Sequence, residues 1–172
     1  MSKDLLQVID EEHTAIKQLF NTLRDDPSDI NELIKFLVSH EVAEETVPFP
    51  IARKLPDGDR IVDARIDEQS TAEEELDRIE SLDNPEDRKA ALKKLEQSVI
   101  DHAEEEERTV YALLKEHCTK AQLEEMGEKF LKVKAIAPTH PHPAAPDTPP
   151  LNKVMGPAAG LADRLRDKVR AM

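Results

Sequence analysis

Apolar residues recur at steps of mostly three and four in four long segments of the chain. This spacing keeps the apolar positions on one face of a helix, so it predicts four amphipathic helices that pack through those faces. Each stripe also contains polar residues, with aliphatic residues before and after them. In chain order the four stripes are Leu6, Ile9, His13, Ile16, Phe20 and Leu23; Ile30, Leu33, Leu37, His40, Glu44, Val47 and Ile51; Val62, Ile66, Gln69, Glu73 and Leu76; and Leu92, Leu95, Val99, His102, Glu106 and Leu113.

Prolines and capping residues indicate where these helices should end. Pro48 and Pro50 each lack a backbone donor, so they should kink or end the second helix. Asn84 can cap the fourth helix, with Pro85 at its first helical position, and the helix should then reach His117. The expected fold is therefore all-α, an up-down four-helix bundle.

Three further segments follow the bundle, which we place at residues 1–118. Residues 119–137 carry apolar positions on one helical face and predict a short fifth helix. Residues 138–157 hold seven of the chain's twelve prolines, which predicts a proline-rich extended segment. Residues 158–172 predict a C-terminal amphipathic helix, which we expect to pack against the bundle or, in a homodimer, against a second chain.

Composition and charge narrow the function classes. Charged residues make up 35% of the chain, and no alternating β-branched run appears outside the periodic segments, which agrees with an all-α fold. The net charge of −13 argues against a nucleic-acid partner, because phosphate contacts need clustered Lys and Arg. A single cysteine, Cys118, cannot form an internal disulfide and fits a reducing compartment. With no apolar signal segment and no run long enough to span a membrane, we expect a cytoplasmic protein.

Histidine and glutamate residues lie where the stripes should be apolar. A buried ion costs several kcal/mol unless something compensates it, and a bound cation would do so. The pairs His40 with Glu44 and His102 with Glu106 are each one helical turn apart, and His13 adds a third imidazole. Imidazole together with carboxylate suits iron, zinc or manganese, whereas calcium and magnesium prefer oxygen alone. The stripes therefore predict a metal site inside the bundle, to which facing helices contribute ligands.

Three motifs carry a family resemblance, which covers residues of about 4 to 118. They are Asp10-Glu11-Glu12-His13, His40-Glu41-Val42-Ala43-Glu44-Glu45 and His102-Ala103-Glu104-Glu105-Glu106-Glu107. They resemble the bacterial HHE cation-binding domains of the hemerythrin family, and the tail is similar to tails on actinobacterial members. The resemblance implies a non-haem di-iron centre that meets oxygen, peroxide or nitric oxide. It also implies that His13 and His40 bind one iron, that His102 binds the other, and that Glu44 and Glu106 bridge them.

The third helix departs from the pattern that the resemblance implies, a histidine after a glutamate. This chain has Glu68-Gln69 there, and an amide oxygen is a poor iron ligand beside imidazole. Glu73, one turn further on the same stripe, or Glu41, beside the second stripe, could replace the missing ligand. Three arrangements stay open: a di-iron site with a substituted carboxylate, a mononuclear site on His13, His40 and Glu44, and a site that has lost its function.

Two classes of function follow from these arrangements. In the first, the protein is an iron protein that carries or senses oxygen, peroxide or nitric oxide, or decomposes peroxide as an enzyme. In the second, it is a binding module without turnover, whose metal stabilises the bundle or is held for delivery. Iron is the expected metal, with two ions expected and one as the alternative, and zinc or manganese are the other candidates. A bare structural bundle would require the stripe carboxylates to be exposed.

Overall fold

The computed structural model describes residues 3–27 and 30–137 of the chain. These residues form seven α-helices and one π-helical turn. In chain order they are α1 (Leu5–Asp25), α2 (Asn31–Thr46), the short α3 (Pro48–Ala52), α4 (Gly58–Glu80), α5 (Pro85–Glu106), the π-helical turn (Glu107–Tyr111), the short α6 (Ala112–His117) and α7 (Lys120–Lys134).

The four long helices form the predicted bundle. Helix α1 packs against α2 and α5, and α4 packs against the same two helices from the other side. Helix α7 is the predicted fifth helix and lies against α1 and α2. The all-α fold is therefore confirmed, whereas the predicted segments 138–157 and 158–172, with the expected homodimer contact, lie outside the described residues. No helix among the described residues is long and apolar enough to cross a membrane.

Local sequence explains most of the helix ends. Asp4 caps α1 in a reciprocal pair with Gln7, and the side chain of Asn84 accepts the first backbone N–H groups of α5, as predicted. The second helix ends at Thr46, as its prolines predict, and Pro48 then begins the short α3. A proline is tolerated there because the first helical residue needs no hydrogen-bonded N–H.

The predicted continuous fourth helix is interrupted, and this changes which residues are buried. A π-helical turn holds one residue more than an α-helical turn and so rotates everything after it. Leu113 was expected on the buried stripe but is only partly buried, while Val110 and Leu114 are fully buried. The apolar periodicity alone does not reveal this insertion.

Helix α7 approaches the start of α1 very closely. A Cβ atom at Gly127 would lie 2.7 Å from the backbone oxygen of Lys3, so only glycine fits this position without a shift. The α7 residues Leu123, Met126 and Phe130 are buried against the bundle. This close fit fixes α7 over one end of the core.

The apolar core is divided into two clusters. We name the first the α7-side core; it comprises Leu5, Val8, Ile9, Ala43, Val47, Phe49, Ala52, Val62, Val110, Tyr111, Leu114, Leu123, Met126 and Phe130. We name the second the four-helix core; it comprises Ile16, Phe20, Leu23, Ile30, Leu33, Ile34, Leu37, Val38, Leu76, Ile79, Ala91, Leu92, Leu95 and Val99. On each long helix the polar residues of the stripe fall between the two clusters, and they form one polar layer, most of which is buried.

Candidate metal centre

Four of the five principal predicted residues meet in the polar layer. One ligand atom from each of His13, His40, Glu44 and Glu106 lies within 4.8 Å of the other three. All four side chains are buried, and the two carboxylates are inaccessible to solvent. Three helices supply them: α1 gives His13, α2 gives His40 and Glu44, and α5 gives Glu106. The structure thus brings together two imidazoles and two carboxylates in the buried interior.

The fifth residue, His102, lies at the edge of the same layer. Its Nε2 is 3.3 Å from Glu106 Oε1, while Glu106 Oε2 is 3.6 Å from His13 Nε2. The carboxylate of Glu106 therefore lies between the two imidazoles. Ligation by these residues stays a prediction, but their placement matches the sequence expectation.

The two carboxylates differ in their hydrogen bonding. Glu44 accepts bonds from the Tyr111 hydroxyl at 2.6 Å and from the Gln69 amide at 2.7 Å, and lies 3.2 Å from His40 Nε2. Neither oxygen of Glu106 accepts a hydrogen bond from any described residue. The Nε2 atoms of His13 and His102 likewise have no hydrogen-bond partner within the described part of the chain. Buried polar atoms normally have partners, so this donor set fits a bound cation.

Each histidine has an acidic partner on its other ring nitrogen. His13 Nδ1 lies 2.8 Å from Glu107, and His102 Nδ1 lies 2.7 Å from Glu68. The third pair joins His40 Nδ1 to Glu12 at 3.4 Å. A carboxylate on one ring nitrogen fixes the tautomer and directs the other nitrogen toward a metal, as is usual for ligand histidines. All three rings are held in this way.

Sequence reasoning did not identify these acidic partners. The partners are neighbours in sequence of residues on the stripes: Glu12 precedes His13, and Glu68 precedes Gln69. Their position beside stripe residues could have marked these glutamates as candidate partners of the layer. The pairing itself was not predictable, since Glu12 pairs with His40 of another helix and not with its own neighbour.

Three residues, Gln69, Glu73 and Glu41, are candidates for the ligand that the third helix should supply, and they occupy different positions. Gln69 is buried and donates its amide to Glu44, while its own Oε1 has no partner among the described residues. Glu73, expected to point inward, is only partly buried. Glu41, expected beside the stripe, is buried, and burial raises its pKa, as does the negative charge of Glu73. The two carboxylates therefore lie near enough to repel each other beside the layer.

Burial and charge together set the protonation of the layer. Burial alone lowers the pKa of His40, but the charge of Glu44 and the hydrogen bonds to Glu12 and Glu44 raise it to about 10. For His102, burial again lowers the pKa, and the negative charge of Glu106 together with the Glu68 carboxylate on Nδ1 raises it well above the usual value. Burial raises the pKa of Glu106, but the neighbouring His102 and His13 lower it by more. The net result is a pKa below the usual value. Protons on His40 and His102 therefore balance the neighbouring carboxylates, and a cation would have to displace them.

The π-helical turn brings Tyr111 to the layer. In an α-helix a residue five positions after Glu106 would point to another face, but one π-helical turn returns it to the same face. The Tyr111 hydroxyl consequently reaches Glu44, and its ring lies 6.5 Å from that of His13. Spacing in the sequence could not orient this tyrosine, because it gives no sign of the inserted residue.

The bundle and its buried layer of histidines and carboxylates define a cation-binding helical protein. A family model, the hemerythrin HHE cation binding domain, matches residues 4–114. The chain is 31% identical over 140 residues to a hemerythrin-like protein of Schizosaccharomyces pombe, covering 80% of this chain and 69% of that protein. The chain belongs to the hemerythrin HHE family.

A second relative is named for a different function. The chain is 28% identical over 139 residues to a DNA nickase of a Nostoc species, covering 77% of this chain and 39% of that protein. No solved structure matches the chain. The comparisons do not support the expected likeness of the tail to actinobacterial members of the family.

Proposed function

We propose that this protein is a hemerythrin-like iron protein that handles or senses oxygen, peroxide or nitric oxide. The observation that carries the proposal is the convergence of His13, His40, Glu44 and Glu106 within 4.8 Å in a buried layer. Mixed imidazole and carboxylate ligands suit iron, manganese and zinc, and a supply of three histidines favours these metals over calcium or magnesium. When bound, iron would supply the redox chemistry and the open coordination position that small molecules of this kind require.

We expect two ions in the layer. His13 and His40 would hold one, His102 would hold the other, and Glu44 and Glu106 would lie between them. The remaining residues of the layer have supporting roles in the proposal. Tyr111 and Gln69 orient the Glu44 carboxylate, and the two apolar cores exclude water from above and below the layer. A reducing, cytoplasmic setting is part of this proposal.

The test is reconstitution of the purified chain with ferrous iron, zinc or manganese, followed by a metal count per chain. We expect about two irons per chain, a near-ultraviolet absorption after oxidation, and a spectral change on adding peroxide or nitric oxide. Catalase-type assays would then separate an enzyme from a carrier or sensor. A chain that binds no metal above the level of a Glu106→Ala variant would contradict the proposal.

A binding module without turnover is the second candidate, and the position of Gln69 favours it. The Gln69 amide donates to Glu44 and supplies no ring nitrogen to the layer, so the ion next to α4 has one ligand fewer. In that case the wild-type chain should bind one metal and show no spectral change with peroxide. Gln69→His should then raise the count toward two, whereas Glu73→Ala should lower it only if Glu73 is a ligand.

The likeness to a DNA nickase does not lead us to propose a nucleic-acid function. The net charge of −13 opposes binding to a phosphate backbone. The alignment also covers only 39% of the nickase, so most of the nickase has no counterpart in this chain. The expected absence of a nucleic-acid partner stays a prediction, and a gel-shift assay with duplex DNA would check it.

A further inference from the structure

Helix α7 lies beyond the part of the chain that the family model matches, yet it contacts the polar layer. The family model ends at residue 114, and α7 spans Lys120–Lys134. The ring of Phe130 meets the ring of His40 edge-on, with the ring centres 5.6 Å apart. Phe130 is completely buried, so this contact closes the layer on the His40 side.

The last residue of α7 reaches the same histidine through an acidic residue. Lys134 Nζ forms an ion pair with Glu12 Oε2, and this same oxygen is 3.4 Å from His40 Nδ1. The Lys134 ammonium also lies over the ring of Phe36 at 3.2 Å from its centre. A cation held both by a carboxylate and by an aromatic face is fixed more firmly than an ordinary surface lysine.

The three acidic partners of the histidines are not equivalent. The side chains of Glu107 and Glu68, the partners of His13 and His102, are 48% and 43% exposed. Glu12 is only 14% exposed and has Lys134 as its counter-charge. A carboxylate that is removed from water is destabilised unless a cation accompanies it. Glu12 can therefore remain in place beside His40 because α7 supplies that cation.

We propose that α7 belongs to the metal centre, with Lys134 and Phe130 as positioning residues that hold His40 for metal binding. Lys134 keeps the Glu12 carboxylate against His40 Nδ1, and Phe130 limits the tilt of the ring, so that Nε2 faces Glu44. Neither residue touches the ligand position itself. This inference rests on the proposed function, because it assumes that His40 is a ligand.

The experiment compares Lys134→Met with Lys132→Met in the full chain, using zinc as the probe. Methionine keeps the apolar stem and removes the charge, and Lys132 is a matched control on the same helix, with a side chain that is 77% exposed. Loss of an outer partner of a ligand histidine typically weakens metal binding by about 10- to 100-fold. Because Lys134 acts on His40 only through Glu12, we expect a loss of about tenfold for Lys134→Met, the lower end of this range. We expect no change for Lys132→Met and near wild-type affinity for Lys134→Arg.

A second readout separates positioning from a general loss of structure. The side-chain ¹⁵N resonances of His40 should shift in the zinc-loaded Lys134→Met variant, while those of His102 stay unchanged. If Lys134→Met does not fold, the double variant Glu12→Gln with Lys134→Met removes the buried charge and keeps an acceptor for His40. That double variant should bind zinc more tightly than Glu12→Ala with Lys134→Met.

The outcomes distinguish this inference from the proposed function. Suppose that the wild-type chain binds zinc and that Lys134→Met binds it with equal affinity and unchanged His40 resonances. This result would overturn the role of α7 but not the proposed function. A wild-type chain that binds neither zinc nor iron would overturn both. Weaker binding with a shifted His40 signal and an unshifted His102 signal supports the proposal.

Discussion

The four-helix core and the polar layer beside it are built from the same four long helices, yet they affect stability in opposite ways. The four-helix core buries side chains such as Phe20 and Leu76, and each Å² of apolar surface removed from water contributes about 25 cal/mol. The polar layer buries Glu44 and Glu106 completely, and each buried ion costs several kcal/mol before its partners compensate.

The difference shows where the chain departs from the requirements of folding. An apolar residue at either glutamate position would extend the apolar stripe of its helix. The chain instead holds three imidazoles and two carboxylates there, with Nδ1 partners that fix every ring. Such local violations of core patterning mark functional sites in otherwise consistent folds.

The largest effect is expected from Glu106→Ala. His13 and His102 both face this carboxylate, and removing one member of a buried charged group typically costs about 3–5 kcal/mol. Chemical unfolding of the chelator-treated protein would measure the loss. Glu104→Ala, on the exposed face of the same helix, should change the free energy of unfolding by less than about 0.5 kcal/mol. Equal stabilities of the two variants would mean that Glu106 is not part of a compensated layer.

A cavity in the four-helix core should be nearly as costly but should spare the metal. Leu76 is completely buried, and Leu→Ala in such a position costs about 2–5 kcal/mol. Because Leu76 lies outside the polar layer, metal content per folded chain should stay at the wild-type value. The exposed Leu131 is the control, since Leu131→Ala should leave both stability and metal content unchanged. Loss of metal in Leu76→Ala would show that the two regions are coupled.

Metal should reverse the energetic disadvantage of the layer. A cation that binds only the folded chain adds about 2.7 kcal/mol when its concentration is a hundred times Kd. The melting temperature should therefore rise with iron and fall with chelator. His40→Ala should remove most of this gain, whereas His117→Ala, an exposed residue at the end of α6, should keep it. A wild-type melting temperature indifferent to both reagents at neutral pH would contradict the expectation.

A smaller effect concerns pH and has opposite signs with and without metal. The pKa of His40 is raised to about 10, so the folded metal-free chain holds a proton that the unfolded chain releases near pH 6.5. Its stabilising contribution is complete below that pH and decreases as the pH rises toward 10. The slope is at most about 1.4 kcal/mol per pH unit for one proton. The metal-bound form should instead weaken on acidification, because ligand histidines must be neutral. Unfolding curves recorded in chelator at pH 7 and at pH 9 would check the metal-free case. The free energy of unfolding should be lower at pH 9 than at pH 7.

The sequence predicted the bundle and the members of the layer because both follow from helical periodicity. Polar residues on an apolar stripe are visible without coordinates, as His13 and Glu44 show. What periodicity could not give was anything that depends on an irregular turn or on contacts between helices. The π-helical turn moved burial from Leu113 to Leu114 and turned Tyr111 inward.

Contacts across helices account for the other misses. Glu41 was placed beside the stripe but is buried, and Glu107, which is 48% exposed, pairs with His13 of another helix. A helical wheel treats each helix alone and cannot say which neighbour covers a borderline position. The ion pair of Lys134 with Glu12 was invisible for the same reason, since it joins residues 122 positions apart.

The most direct test of the metal layer is anomalous diffraction at the iron absorption edge from crystals of the iron-reconstituted chain. The account predicts anomalous density inside the polar layer, bounded by the Nε2 atoms of His13 and His40 and the carboxylates of Glu44 and Glu106. It also predicts that the density disappears from crystals of the Glu106→Ala variant. Iron found only on the acidic surface, with no anomalous density inside the layer, would contradict the claim that these buried residues form a metal centre.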